Sequence, residues 1–243
     1  MPPAARSEPA LAVDTRVWRA VESQHVISTM RLVGNNPADQ RVLEDILETA
    51  KPPVPAAARH LHWLLATPFR YAPRIGGSRF RAPGEPGVFY GAQAARTACA
   101  EAGFWKWRFV RDSAGLRGLD AHSMTLFPAR ISAPGWNLMR APWAARRAQW
   151  ASASDYGPAQ ALAARARACE VAVIVYESVR DPQRGACVAA LDPVALVNGD
   201  PLTRAQSWFL TVRERSVIWQ REGRSLFEFD FTAFDEKPLP GAA

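Results

Sequence analysis

The chain has 243 residues, of which 48% are hydrophobic and nine are tryptophan, and its 30 basic and 23 acidic side chains leave a formal charge of +7. That apolar share is ample for a packed core and excludes a disordered polymer, with disorder expected only at the ends. No run of eighteen apolar residues and no basic start followed by an apolar stretch is present, which argues against a membrane span or a secretory leader and for a cytoplasmic location.

The charge attracts anions but does not choose among nucleotides, nucleic acid and an acidic partner. No uninterrupted Lys/Arg run or RNA-binding signature occurs, which weakens the nucleic-acid reading. Cys99, Cys169 and Cys187 are odd in number and widely spaced, so reduced, buried thiols are expected and zinc is not. His60 and His62 form an HxH pair, but in the helix expected there residues two apart face different sides, so no metal site is predicted.

No composition shift marks a domain boundary. One folded unit is predicted over residues 15–235, with 15–66 an N-terminal helical extension and 67–235 the core; 1–14 and 236–243 read as tails. Residues 15–21 (TRVWRAV) alternate and suggest an edge strand that carries Arg19. Asn36 and Pro37 are good starting residues for a helix. It should run through ADQRVLEDILETA, with Val42, Leu43, Ile46 and Leu47 on one face, and stop before Pro52-Pro53. A second helix, PAAARHLHWLLA, is expected to break at Thr67-Pro68 and to pack against the first as a hairpin, a scaffold or partner-binding lobe.

Residues 67–101 hold Arg70, Tyr71, Arg74, Arg79, Arg81, Tyr90 and Glu101 on a frame of glycines and prolines. Such a set makes a poor core, and suits convergence on something anionic and aromatic. Arginine offers a planar fork that pairs bidentately with phosphate, and Gly76, Gly77 and Gly84 allow sharp turns and close approach. Residues 87–90 read as a short strand ending at Tyr90, and AQAARTACAEAGFWKW has helical composition. A carboxylate on this small, apolar helix needs a reason, and Glu101 is the most telling of the set. Arg74 and Arg81 are expected to be solvated loop arginines. Phe104, Trp105 and Trp107 are assigned to the core.

Further along, 124–131 reads as a strand and Ser154 as the cap of a helix whose first turns, with Asp155, Tyr156 and Gln160, are expected to border a cleft. Residues 171–177 (VAVIVYE) form a fully buried strand, and Ser178 follows directly. A turn from Asp181-Pro182 to Gly185 leads into ACVAAL. SWFLTVRERSVIWQ and SLFEFDF alternate and suit antiparallel strands with one wet face.

The order Arg70-Tyr71, then GGSRF at 76–80, a Pro-Gly turn, an apolar strand ending in Tyr90 and TACAE at 97–101, with Ser178 in YESVRDPQRG, resembles the RES domain family, from about Trp18 to Leu210. The resemblance implies an α+β fold: a single ADP-ribosyltransferase-like domain with a mixed, mostly antiparallel β core flanked by helices and an N-terminal helical hairpin. It implies an NAD-degrading toxin of a type II toxin-antitoxin system that cleaves the nicotinamide–ribose bond, with phosphorolysis ahead of hydrolysis and protein ADP-ribosylation as the alternative. Glu101, Arg70 and Ser178 would be catalytic. Arg70 and Arg79 would hold the pyrophosphate of NAD, Tyr71 and Tyr90 the nicotinamide ribose, and Ser178 a ribose or amide group. NAD is then a substrate and inorganic phosphate a co-substrate, with no metal or cofactor. The implied partner is a cognate antitoxin of the Xre/MbcA/ParS-like type; self-association is left open.

Arg19 competes with Arg70 for the place of the family arginine; Arg70 is preferred because Tyr71 follows it and its spacing to Arg79 and Tyr90 fits. With no GxGxxG strand-turn-helix fingerprint, Rossmann hydride transfer has no support. The reading from another class is a basic module that docks RNA or a partner protein without chemistry, for which binding would weaken steeply with salt and Glu101 would be dispensable.

Overall fold

A computed structural model describes residues 10–23, 33, 34, 36–221 and 224–234. The expected tails at 1–9 and 236–243 lie outside the described residues, whereas 11–14 are strand and not tail. The fold is mixed α+β. Its strands are β1 (Leu11–Glu22), β2 (Phe89–Ala92), β3 (Leu119–Asn137), β4 (Val173–Glu177), β5 (Ala186–Ala190), β6 (Gln206–Val212), β7 (Ser216–Arg221) and β8 (Arg224–Asp230). Its helices are α1 (Pro37–Thr49), α2 (Trp63–Arg70), α3 (Ala95–Asp112), the single turn α4 (Arg147–Trp150) and α5 (Gly157–Ala168).

All eight strands join one sheet in the order β1-β2-β5-β4-β3-β6-β7-β8, antiparallel except for β3 with β4. An extra β1–β3 pairing, from Leu11 opposite Gly135 to Glu22 opposite Met124, closes β1, β2, β5, β4 and β3 into a ring. β1 is therefore no edge strand. It pairs with β3 along its length and touches β2 only at Trp18 opposite Ala92, and this loose seam is where a cleft opens.

β3 runs far beyond the predicted 124–131. Its second edge pairs with β6 up to Leu126 and with β4 from Gly135. Pro128 and Pro134 fall in the interval between, where a missing donor costs no ladder bond on that edge. The predicted strand passes Pro128 but ends short of Pro134, while pairing with β1 carries β3 through both.

Three apolar clusters hold the layers. One face of the ring, with Val17, Phe89, Phe127, Ile131, Val173 and Val188, packs under α2 through Leu64, Leu65 and Phe69. The opposite face, with Ile174, Tyr176, Cys187 and Ala189, packs on α5 through Ala159, Leu162, Ala163 and Ala166. Trp208, Leu210, Val217, Trp219 and Phe229 of β6–β8 receive Phe104 and Trp107 of α3.

Several local readings are corrected. α1 starts as expected, Asn36 accepting from the Ala38 amide ahead of Pro37. Its apolar face is not covered, however: Val42, Ile46 and Leu47 are exposed. The next helix begins at Trp63 and passes through Thr67 and Pro68. His62 lies outside it, and its Nδ1 accepts from the Leu64 amide, so the histidine pair is partly spent on capping. Tyr90 is the second residue of β2 and does not end it. α5 starts after Tyr156, where the Asp155 carboxylate accepts from the Gly157 amide, so Ser154 is not its cap. Cys99 and Cys187 are buried, but Cys169, just past the end of α5, is exposed. No described helix is long and apolar enough to cross a membrane.

Candidate active site

α3 carries two stripes at helical spacing. Cys99, Ala100, Gly103, Phe104, Trp107 and Val110 are buried against β6–β8. Gly103 is required there, because a Cβ would stand 2.8 Å from Val217 Cγ2 and 3.0 Å from Trp219 Nε1. The second stripe, Ala98, Glu101, Ala102, Trp105, Lys106 and Phe109, lines a cleft of about 480 Å³, a volume suited to a small-molecule ligand. Trp18 to Glu22 of β1 form the facing wall; Tyr90, Tyr176 and Cys187 line the cleft between, with Ser78, Arg79 and Tyr156 also contributing. Trp105 thus belongs to the cleft and not to the core, where Phe104 and Trp107 do lie.

Glu101 is fixed from behind. The Ser178 hydroxyl donates to Glu101 Oε1 at 2.5 Å, while its oxygen accepts from the amides of Arg180 at 3.1 Å and Asp181 at 2.9 Å. Ser178 therefore caps its own turn and orients the carboxylate at once. It is fully buried and does not line the cleft, so the expected direct contact with a ribose or amide group is not what this geometry offers; the hydroxyl reaches the cleft only by way of Glu101. The Cys187 thiol lies 4.0 Å from the same Oε1, and burial pushes its pKa up, keeping it a neutral weak donor. Oε2 carries no hydrogen bond among the described residues.

The turn from Ser178 to Gly185 is fastened to the first turn of α3. Asp181, buried, accepts from Thr97 Oγ1 at 2.8 Å and pairs with Arg96. The approach is so close that a Cβ on Gly185 would stand 2.1 Å from Thr97 Oγ1. Arg180 is held by the Ala153 carbonyl at 2.7 Å and stacks 3.7 Å from the Phe104 ring centroid. Burial pulls its pKa down.

At the upper end of the cleft the Tyr90 hydroxyl meets Ser78 Oγ at 2.7 Å and accepts from the Phe80 amide at 3.0 Å. Burial raises its pKa, so it stays a neutral phenol. Gln160 donates to the carbonyls of Ser78 and Arg81, holding this loop against α5. Arg79 lines the cleft, but its Nη1 is already engaged by the carbonyls of Trp150 at 2.7 Å and Ser152 at 2.8 Å, and its guanidinium lies over Tyr156.

Arg19 has no carboxylate partner among the described residues. Its Nη1 donates to the Tyr90 carbonyl at 2.7 Å, its guanidinium lies over Phe89, and its buried Nε has no partner. Burial pulls its pKa down to about 10. Charge held in that state favours an incoming anion.

Arg70 and Tyr71 are not at this site. Arg70 ends α2, pairs with Glu48 at 2.7 Å and donates to the Pro52 carbonyl; Tyr71, the next residue, is exposed. Neither lines the cleft. The sequence order placed them with Arg79 and Tyr90, but α2 packs under the opposite face of the ring. Arg74 is exposed as expected, whereas Arg81 donates to the carbonyls of Pro73 and Gly76. Of the predicted set the structure brings together Arg79, Tyr90, Glu101 and, behind Glu101, Ser178, and at the cleft it has Arg19, the competing candidate, and not the preferred Arg70. Tyr156 borders the cleft as its place ahead of α5 suggested. Trp18, Arg180 and Asp181 were missed, though Arg180 and Asp181 stand within three residues of Ser178, a signal that the turn itself mattered.

The RES domain family model matches residues 53–212, well over half of the chain, and the protein belongs to that family. No curated protein matches it. β1, with Arg19, lies ahead of the matched stretch.

Proposed function

We propose that the protein is an NAD-degrading enzyme that cleaves the bond between nicotinamide and ribose. The observation that carries this reading is the Glu101 carboxylate, clamped at Oε1 by Ser178 and bare at Oε2, in a cleft whose surrounding cations include Arg19 with no counter-ion. Cleavage of an N-glycosidic bond builds positive charge on the sugar, and a fixed carboxylate that accepts from a ribose hydroxyl stabilises that charge. Arg19 and Arg79 would face the pyrophosphate, and Tyr90 and Tyr156 the nicotinamide ribose. Membership of the RES family supports an NAD-acting role, and the fold is read as ADP-ribosyltransferase-like.

In the balanced reaction an oxygen of phosphate attacks the anomeric carbon as the carbon–nitrogen bond breaks. Nicotinamide leaves neutral with the bonding pair, and ADP-ribose 1″-phosphate forms. Water in place of phosphate gives ADP-ribose and a proton. Purified protein incubated with NAD, with and without phosphate, and resolved by chromatography tests the reading: phosphate-dependent loss of NAD supports phosphorolysis, and phosphate-independent release of ADP-ribose supports hydrolysis. Label retained on protein would point to ADP-ribosylation. No loss of NAD would return the chain to the binding-module reading.

An enzyme that exhausts NAD in its own cytoplasm needs restraint, so we also propose a toxin role with a cognate antitoxin. An acidic segment of that partner would enter the cleft against Arg19 and Arg79. Charge complementarity would speed the encounter. NAD should then compete with it.

A further inference from the structure

The cleft is longer than one ribosyl site, and its two ends differ in chemistry. β1 and α3 run along it in the same sense: Arg19 meets Tyr90 at one end, and Glu22 pairs with Lys106 at the other. Glu101 stands at the first end. Trp105 and Phe109 follow at one and two turns, about 6 and 12 Å farther along the helix axis at its regular rise. Both rings line the cleft, yet Trp105 is 43% and Phe109 56% exposed. Two large aromatic rings left half open in one groove are costly unless something covers them. They are not loose: Trp105 stands edge-on to Phe104 at 5.3 Å, and Lys106 Nζ lies 5.7 Å from the Phe109 centroid. Phe104 is itself buried in the core, so the platform is fixed before any ligand arrives.

We propose that Trp105 and Phe109 form a stacking site for the second nucleobase of a dinucleotide, the purine at the end remote from the scissile bond. The inference rests on the dinucleotide reading of Glu101 and adds the determinant of substrate length. A pyrophosphate flanked by two riboses separates its ring systems by more than one helical turn, and Arg19 and Arg79 lie in the same groove for that bridge. Stacking on an aromatic face tolerates any base and is sensitive to loss of the ring, not to conservative replacement.

The test compares NAD with nicotinamide mononucleotide, which keeps the scissile bond but has no second base, and uses AMP as a binding probe. Trp105→Ala should raise KM for NAD and Kd for AMP by roughly 5- to 100-fold, the usual range for one base–aromatic stack. It should leave kcat/KM for the mononucleotide unchanged, and Trp105→Phe should restore most of the loss. Phe109→Ala should act in the same direction. If Trp105→Ala weakens both substrates equally, or neither, the stacking site is wrong while NAD cleavage stands. If AMP binds the unaltered protein in a Trp105-dependent way but no NAD is consumed, the stacking site stands and the cleavage reading falls.

Discussion

Two arginines, Arg19 and Arg70, each stand beside an aromatic residue, and the chain uses them in opposite ways. Arg70, at the end of α2, is closed by the Glu48 carboxylate and the Pro52 carbonyl. Arg19, on β1, has a carbonyl, an aromatic face and no carboxylate, with one nitrogen left bare. The first is a solved electrostatic problem that ties two segments together. The second has no anionic partner among the described residues, a condition in which a buried cation favours an anion from outside.

The largest effect is expected at the carboxylate that shares the cleft with Arg19 and lies away from Arg70. Glu101→Gln should keep the fold by circular dichroism and lower NAD turnover by about two to four orders of magnitude. Near-normal consumption by the folded variant would remove Glu101 from the chemistry. Next in size, Arg19→Ala should raise KM for NAD by roughly tenfold to a hundredfold, the loss expected for a charge-assisted contact. Arg70→Ala should leave turnover unchanged, and equal effects from the two variants would erase the distinction.

Ser178→Ala leaves the Arg180 and Asp181 amides without their acceptor, which should cost about 1–3 kcal/mol in urea unfolding. It should lower kcat while KM for NAD hardly moves, since Ser178 orients and does not touch. The smallest effect is one of pH. Arg19 has a folded-state pKa pulled down to about 10, so its charge, and with it anion affinity, should fade as pH rises through that value. Kd for ADP should therefore increase between about pH 9 and 11, more steeply in the wild type than in Arg19→Ala, where Lys106 still titrates in the same cleft. The stability contribution has the other sign: above about pH 10 the native state sheds a proton that the unfolded chain still holds, so stability gains as pH climbs toward the ordinary arginine value.

The site was legible where local chemistry and chain order agree. Glu101 stood out because a small, apolar helix gives a carboxylate no reason to be there; Ser178 was reached through the family resemblance, since its local pattern alone reads as a serine capping its own turn. Arg79 and Tyr90 were found by their glycine-rich loop and strand. Arg70 was misplaced by the same logic: it is close to these residues along the chain, but the ring turns α2 to the other face. Arg19 is far from them in sequence and is delivered by pairing between β1 and β3, a contact that no local pattern encodes. The mixed, mostly antiparallel fold was readable from alternation in β6, β7 and β8. The reach of β3 was not, because Pro134 and the following Pro/Trp-rich stretch look like a loop until the gap between β6 and β4 is known.

β1 supplies a wall of the cleft, yet it lies ahead of residues 53–212, the stretch that identifies the family. A shortened chain begun at residue 53 would retain Glu101, Ser178, Arg79 and Tyr90 and still have only half a groove. It would also bare twelve consecutive positions of β3 from Met124 to Gly135, an invitation to pair with another molecule. Family membership and self-sufficiency thus have different boundaries here: the recognisable part of the sequence carries the carboxylate, and the first strand closes the ring and supplies the facing wall of the groove.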